Sequence, residues 1–341
     1  MMNALDTARG LGLVCVVLAS GCSPYLYKDE IQAFEQRTRA LAAAFDEAGT
    51  ATATDYRHRI GVQQLLNNQQ PRVKLSEDCI DLADRAKPVN ATVVAGADFE
   101  CRLVTVVPGT AIETDLEIDP FREHFANADK ITRALDAYTK ALLAITNADD
   151  RKALDAAAQD LCKALGVLGT AAPGGGEAAG AVCRLVTNTY AAYLDRRRYQ
   201  VLRAGVVEAD REVMPGLTVY LEALLQQARN DRIASVAYVA DAASRSLGEG
   251  RRASRAPDTG DLVYTDRYWV PLNLVFASAK DLEHLLTFDP AAVVRSFAKA
   301  HNDLAAAVDS GKGQTDAVSQ SLETLSEQIQ AMRKAFESAA G

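Results

Sequence analysis

The chain has 341 residues, of which 48% are hydrophobic, enough to form one large or two ordinary domains with buried cores. This composition excludes a largely disordered chain. Acidic residues outnumber basic residues by 45 to 37, giving a formal charge of −8, which argues against a dedicated nucleic-acid-binding protein. Aromatic residues make up only 6%, with Trp269 the single tryptophan, and this balance favours helices over sheets.

The N-terminal segment contains a short apolar run that follows a basic residue. Arg9 precedes the uncharged run GLGLVCVVLAS at 10–20, which is shorter than the roughly 20 residues that a membrane-spanning helix needs. The run leads into LASGC at 18–22, where small residues stand immediately before Cys22. This stretch resembles the signal peptide and lipobox of bacterial lipoproteins, in which the cysteine is lipidated and becomes the mature N-terminus.

The resemblance implies a processing site and a location. Residues 1–21 are expected to be a signal peptide, and residues 22–341 a mature domain anchored to the membrane by acyl chains on Cys22. In lipoproteins of Gram-negative bacteria, Asp after the lipidated cysteine commonly retains the protein in the inner membrane, whereas here that residue is Ser23. The resemblance therefore implies the outer membrane, with the folded part facing the periplasm. It covers only residues 1–23 and implies nothing about the activity of the rest.

Four cysteines remain after the signal peptide and the lipidated residue are set aside: Cys79, Cys101, Cys162 and Cys183. An even number in an oxidising compartment favours two disulfides, although four cysteines allow three connectivities. Cys162 and Cys183 lie symmetrically about the sequence APGGG at 172–176, so an antiparallel helix hairpin would bring them together. We expect the pairs Cys162–Cys183 and Cys79–Cys101, with buried thiols as the alternative. The cysteine spacing disfavours a zinc site.

Most of the chain shows the periodicity of amphipathic helices. Apolar residues recur at alternating spacings of four and three along 27–45, 131–145, 154–168 and 318–336. This pattern predicts an all-α fold, an antiparallel bundle of long amphipathic helices whose apolar stripes form the core. Exposed coiled-coil faces that bind a partner are the alternative interpretation of the same stripes.

Several residues indicate where these helices begin and break. Asp149 or Asp150 is suited to cap the helix that carries the 154–168 stripe, and Asp289 followed by Pro290 predicts another helix start. Between 177 and 247 the pattern is helical, interrupted by Met-Pro-Gly at 214–216. Either one helix kinks there or two helices meet.

Two regions depart from the helical pattern. Residues 70–119 contain short β-branched runs separated by turn residues, which predict a small β-like insertion bridged by Cys79–Cys101 and covering one end of the bundle. Residues 248–271 are expected to form a loop, charged and glycine-containing at 248–260 and β-like at 262–270.

No familiar catalytic motif is present. The chain lacks His-Glu-x-x-His, Gly-x-Ser-x-Gly and a complete phosphate-binding loop, so no catalytic residue, metal or cofactor is predicted. Asp55 with His58, and Asp281 with His284, each place a carboxylate and an imidazole on one helical face. We interpret these histidines as solvated surface residues, with a transition-metal site as the alternative.

Arginines near the tryptophan are the candidate partner-binding residues. Arg251, Arg252 and Arg255 crowd the expected loop, Trp269 follows them, and arginine forks suit carboxylates and phosphates. Together these features favour a lipid-tethered, non-enzymatic interaction or scaffold protein that binds a protein partner in the cell envelope and no nucleic acid. The alternative is an envelope enzyme or a ligand or metal carrier with a site between helices. The sequence leaves the oligomeric state open.

Overall fold

The computed structural model describes residues 27–66, 72–75, 103–106, 113–115, 122–171, 180, 183–184, 193–253, 266–311 and 315–337. Eight helices account for most of these residues, which confirms the predicted all-α class. They are α1 (Lys28–Leu66), α2 (Arg122–Asn147), α3 (Arg151–Ala171), α4 (Leu194–Glu212), α5 (Met214–Ala253), α6 (Asp266–Thr287), α7 (Pro290–Ser310) and α8 (Asp316–Phe336). Within this described part, no helix is both long and apolar enough to cross a bilayer.

The helices group into two compact units. Of the described residues, the first unit contains those up to Gly49, those of His124–Arg229 and those of Thr287–Glu337, and the second contains those of Thr50–Glu123 and Asn230–Leu286. Helices α1 and α5 therefore each contribute one part to the first unit and the other part to the second.

The four apolar stripes that the sequence predicts all lie in the core of the first unit. Every stripe residue is buried, and burying each large side chain contributes about 1.5–3 kcal/mol. The stripe residues are Tyr27, Ile31, Phe34, Thr38, Leu41 and Phe45; Ile131, Leu135, Tyr138, Leu142 and Ile145; Leu154, Ala158, Leu161, Leu165 and Leu168; and Val318, Leu322, Leu325, Ile329, Met332 and Phe336.

Two of the predicted helix starts in the first unit are confirmed by their hydrogen bonds. The side chain of Asp150 accepts a 2.7 Å hydrogen bond from the backbone N–H of Ala153 at the start of α3. Asp289 caps α7 in the same way, with Pro290 as its first residue. At the Met-Pro-Gly sequence two helices meet, because α4 ends at Glu212 and α5 begins at Met214 with its proline in the first turn.

A small antiparallel sheet belongs to the second unit. Its strands β1 (Arg72–Leu75), β2 (Leu103–Val106) and β3 (Glu113–Asp115) pair in that order and lie inside the 70–119 segment expected to be β-like. Arg72 is opposite Val106, and Val104 is opposite Asp115. Cys79 and Cys101 lie outside the described residues, so the bridge between them stays a prediction.

The predicted bounds of the loop at 248–271 are wrong at both ends. Helix α5 continues to Ala253, and α6 already begins at Asp266. Leu, Glu, Arg and Ala in the sequence LGEGRRA at 247–253 are strong helix formers, and each glycine costs a helix only about 1 kcal/mol, so neither glycine ends it. The aromatic and β-branched residues of 266–270 form a helix because strand propensity depends strongly on context. Residues 254–265 lie outside the described part.

Candidate functional site

A network of four side chains joins three helices in the first unit. The Nδ1 of His301 on α7 lies 2.8 Å from an oxygen of Asp210 on α4, and its Nε2 lies 2.8 Å from the hydroxyl of Tyr138 on α2. Asp210 also accepts a 2.8 Å hydrogen bond from Asn302. We refer to Tyr138, His301, Asp210 and Asn302 as the Tyr–His–Asp network. The contact with Asp210 assigns the imidazole proton to Nδ1, so that Nε2 accepts the hydrogen bond from Tyr138.

The surroundings of the network are apolar and tightly packed. Phe34 on α1 contacts the edge of the His301 ring at a centroid distance of 5.7 Å and stacks on Phe297 at 5.8 Å. Gly205 on α4 lets that helix approach α3, because a Cβ at this position would lie 2.6 Å from Cδ2 of Leu161. These contacts fix the imidazole ring between aromatic neighbours.

The ionisation of the network follows from this burial. Burial raises the pKa of Asp210, but the hydrogen bonds from His301 and Asn302 outweigh it and hold the pKa below its usual value. Burial, together with the charge of Asp210, raises the pKa of the Tyr138 hydroxyl. Tyr138 and His301 have no exposed surface, so in this state the network can position helices but offers no reactive group to a substrate.

The second unit contains a buried cluster of opposite charges. Nε of Arg232 on α5 donates a 2.5 Å hydrogen bond to Asp55 on α1, and its Nη2 lies 3.9 Å from an oxygen of Asp281 on α6. Arg232 is fully buried and both carboxylates are nearly so. We refer to Asp55, Arg232 and Asp281 as the carboxylate–arginine cluster. Its two carboxylates share one guanidinium, so the cluster carries a net negative charge when both are ionised.

A cavity of about 20 Å³ adjoins this cluster, close to the volume that one water molecule occupies. Asp55, Asp281 and His58 line it together with Ser235, whose buried hydroxyl has no hydrogen-bond partner. Burial raises the pKa of Asp55 more than the neighbouring guanidinium of Arg232 lowers it. The arrangement therefore stabilises a proton on Asp55 relative to an exposed aspartate.

The structure brings the aspartates of the two Asp-x-x-His sequences to the same arginine, a contact that the sequence did not predict. Asp55 and Asp281, each from an Asp-x-x-His pair, both lie within ion-pair distance of the guanidinium of Arg232. His58 is exposed and His284 is half-buried. Among the residues whose positions are described, no three His, Cys, Asp or Glu side chains are arranged to bind a metal ion.

The sequence-predicted site residues have mixed placements. Arg251 and Arg252 belong to the last turns of α5 rather than to a loop, and Trp269 is half-exposed on α6. The side chains of Arg251 and Arg252 are not described. Arg255 and Cys22 lie outside the described residues.

The expected Cys162–Cys183 disulfide is absent, although its two residues are neighbours. Both cysteines are thiols, and their side chains hydrogen-bond to each other. The symmetric positions of the two cysteines about residues 172–176 predicted that they would be neighbours. A covalent bond additionally requires oxidation and a sulfur–sulfur distance near 2.05 Å. The hydrogen bond from Cys162 to Cys183 raises the pKa of Cys162 and lowers that of Cys183.

Sequence reasoning missed Arg232 and the partners of His301. A signal for Arg232 was present, since it occupies a buried position of α5 in register with Ala228, Val236 and Val239. A charged residue within an apolar stripe predicts a buried partner of opposite charge. Nothing local indicated which carboxylate that would be.

Comparison with known proteins assigns no family. No protein-family model, no curated protein and no solved structure matches the chain.

Proposed function

We propose that the protein is a lipid-tethered, non-enzymatic interaction protein of the bacterial envelope, anchored in the outer membrane through Cys22 and facing the periplasm. The observation that carries the interaction role is an apolar surface on α6, formed by Trp269, Val270 and Phe276. Val270 and Phe276 are 63% and 64% exposed, and Trp269 is 45% exposed. Three large apolar side chains are exposed within two helical turns, and a concentration of exposed apolar residues is typical of protein-binding surfaces.

The non-enzymatic part of the proposal is supported by the Tyr–His–Asp network. Its geometry would suit proton transfer, but the hydroxyl of Tyr138 and the ring of His301 are buried and already engaged with one another. A general acid or base must come within hydrogen-bonding distance of its substrate. The network instead supports a rigid framework for a binding surface.

The location rests on residues 18–23. Each methylene of an acyl chain on Cys22 would contribute about 0.8 kcal/mol of membrane binding, so several chains keep the protein anchored. In an oxidising periplasm the neighbouring thiols of Cys162 and Cys183 would form a disulfide, and Cys79 and Cys101 would form the second. We propose both disulfides together with the periplasmic location.

Photocrosslinking in intact cells tests the interaction surface. A benzophenone amino acid replaces Phe276, and a matched variant carries it at Val219, which is 69% exposed on a different helix, α5. We expect one discrete crosslinked species from position 276 and none from position 219. Adding Cys22→Ser should remove the species and release the protein from the membrane fraction. Equal crosslinking at both positions, or none at 276, would contradict the proposed surface.

An unmodified Cys22 in the intact mass of the mature wild-type protein would contradict the anchor. This measurement is independent of the crosslinking result, so the location and the interaction role can fail separately.

A further inference from the structure

The cavity beside the carboxylate–arginine cluster lies between three helices of the second unit. Asp55 lines it from α1, Ser235 from α5 and Asp281 from α6, and Val236 and Leu274 contribute apolar walls. Its volume of about 20 Å³ suits one group of the size of a water molecule. We refer to this feature as the three-helix cavity.

The hydroxyl of Ser235 has an unmet requirement in this cavity. Ser235 is 1% exposed, and among the described residues its Oγ has no hydrogen-bond partner. The carboxylates of Asp55 and Asp281 line the same small space, yet neither accepts a hydrogen bond from the hydroxyl. A buried hydroxyl without a partner destabilises the folded state, so a group that connects it to the carboxylates is favoured.

The donors and acceptors at the cavity wall select that group. The hydroxyl proton of Ser235 needs an acceptor, whereas the ionised carboxylates of Asp55 and Asp281 need donors. A sodium or ammonium ion cannot accept the proton, an anion would be repelled by two carboxylates, and an apolar group would leave the hydroxyl unpaired. A water molecule accepts one hydrogen bond from Ser235 and donates one to each carboxylate, so it satisfies all three side chains.

The contacts of Arg232 are compatible with this arrangement. An ionised carboxylate offers about four acceptor positions, and the hydrogen bond from Nε of Arg232 uses one of those on Asp55. Burial also raises the pKa of Asp55, so this carboxyl holds its proton to a higher pH than an exposed aspartate does. A protonated Asp55 donates to the water oxygen, which can accept two hydrogen bonds. The bridge is therefore possible in both protonation states.

We propose that the three-helix cavity binds one structural water molecule, which accepts a hydrogen bond from Ser235 and connects it to the carboxyl groups of Asp55 and Asp281. Three hydrogen bonds are typical of a buried water that is part of a protein's structure. This water connects α1, α5 and α6 inside the second unit. The site is separate from the exposed apolar residues of α6 and does not rest on the proposed function.

The direction in which Ser235→Ala changes stability tests the site. If the hydroxyl is bonded to a water that also binds both carboxylates, its loss leaves that water with one partner fewer. We therefore expect a lower urea midpoint for the full chain. If the hydroxyl is unpaired, the variant removes an unsatisfied polar group and adds the higher helix propensity of alanine, so the midpoint rises. An unchanged or raised midpoint would overturn the proposal.

Ser246→Ala is the matched control on the same helix. The hydroxyl of Ser246 donates a 2.8 Å hydrogen bond to the backbone carbonyl of Ala243, within α5 itself. A local bond of this kind contributes little to a helix, so the midpoint of this variant should stay the same or rise slightly. A loss as large as that of Ser235→Ala would assign the effect to replacing any serine of α5 and would contradict the site.

A crystal structure of the full chain, at a resolution that shows ordered water, locates the occupant directly. We expect one density peak about 2.5–3.0 Å from Oγ of Ser235 and from an oxygen of each carboxylate. The urea midpoint should also be equal in sodium chloride and in choline chloride of the same ionic strength. The absence of a peak, or a direct hydrogen bond from Ser235 to a carboxylate, would overturn the proposal. A midpoint raised specifically by sodium would assign the cavity to a cation instead.

Discussion

Arg232 donates a 2.5 Å hydrogen bond to Asp55, a residue 177 positions earlier in the chain, and its guanidinium is completely buried. The pair joins α1 to α5 within the second unit, and Asp281 adds a weaker contact from α6. Removing Arg232 would leave two carboxylates in the interior without a compensating positive charge, which costs more than the pair contributed.

Arg232→Ala should therefore destabilise the protein by about 3–5 kcal/mol, measured by urea unfolding. The matched control is Asp241→Ala on the same helix as Arg232. Asp241 forms an ion pair with Arg245 at 2.5 Å, but both side chains are 64% exposed, so its loss should cost less than about 1 kcal/mol. Similar losses for the two variants would contradict the importance of the buried pair.

The raised pKa of Asp55 predicts a pH dependence with a defined sign. Burial makes the folded state bind the Asp55 proton more tightly than the unfolded state does. Its contribution to stability is thus fully present below the unfolded pKa, near 3.8, and is lost as the pH rises through the raised folded pKa. The unfolding free energy of the wild type should therefore decrease relative to that of Asp55→Asn as the pH rises from about 3.8 through the folded pKa. A difference that grows with pH would reverse the assigned direction.

How much the sequence predicted depends on how local the determining contacts are. The stripe of Tyr27 to Phe45 and the cap at Asp289 are set by residues within one or two turns, so periodicity and capping rules find them. The contact of Arg232 with Asp55 depends on how distant helices pack, and no local pattern specifies it. Of the candidate site, the sequence therefore provided the Asp-x-x-His pairs but not the guanidinium that their carboxylates share.

The Tyr138 hydroxyl is predicted to stabilise the first unit through its hydrogen bond with His301. Tyr138→Phe leaves Nε2 of a fully buried imidazole without this partner, which should cost about 1–3 kcal/mol. Tyr193→Phe is the control, because Tyr193 is 77% exposed and its hydroxyl remains accessible to water. Thermal unfolding of both variants measures the effect, and an unchanged midpoint for Tyr138→Phe would mean that the hydrogen bond contributes nothing.

Asp210 should make the same network sensitive to acid. Its pKa lies below the usual value, so its contribution to stability is present above the unfolded pKa near 3.8 and is lost as the pH falls through the lowered folded pKa. The stability difference between wild type and Asp210→Asn should therefore shrink on acidification through this range. Unfolding measured as a function of pH checks this, and a difference that stays constant would contradict the lowered pKa.

The thiols of Cys162 and Cys183 should join when the protein is exposed to oxidant. Closing a loop of about 20 residues should stabilise the folded state by about 3 kcal/mol, mainly by restricting the unfolded chain. Peptide mapping without reductant should find the two joined, and Cys162→Ser should lose the added stability. A map that joins Cys162 to Cys79 or Cys101 would show that the hairpin pairing is wrong.

Two glycines in neighbouring helices should respond to alanine with opposite signs. In Gly205→Ala the new methyl group would lie 2.6 Å from Cδ2 of Leu161, a fully buried side chain that has little room to move. Overpacking of this kind costs about 1–3 kcal/mol, more than the helix propensity of about 1 kcal/mol that alanine contributes. At Gly166 on α3, no atom of the described residues outside the helix's own backbone lies within 4 Å of the new Cβ, so Gly166→Ala should stabilise the protein by about 0.5–1 kcal/mol. Urea unfolding of the two variants measures both effects, and stabilisation by Gly205→Ala would mean that α3 and α4 approach less closely than this contact requires.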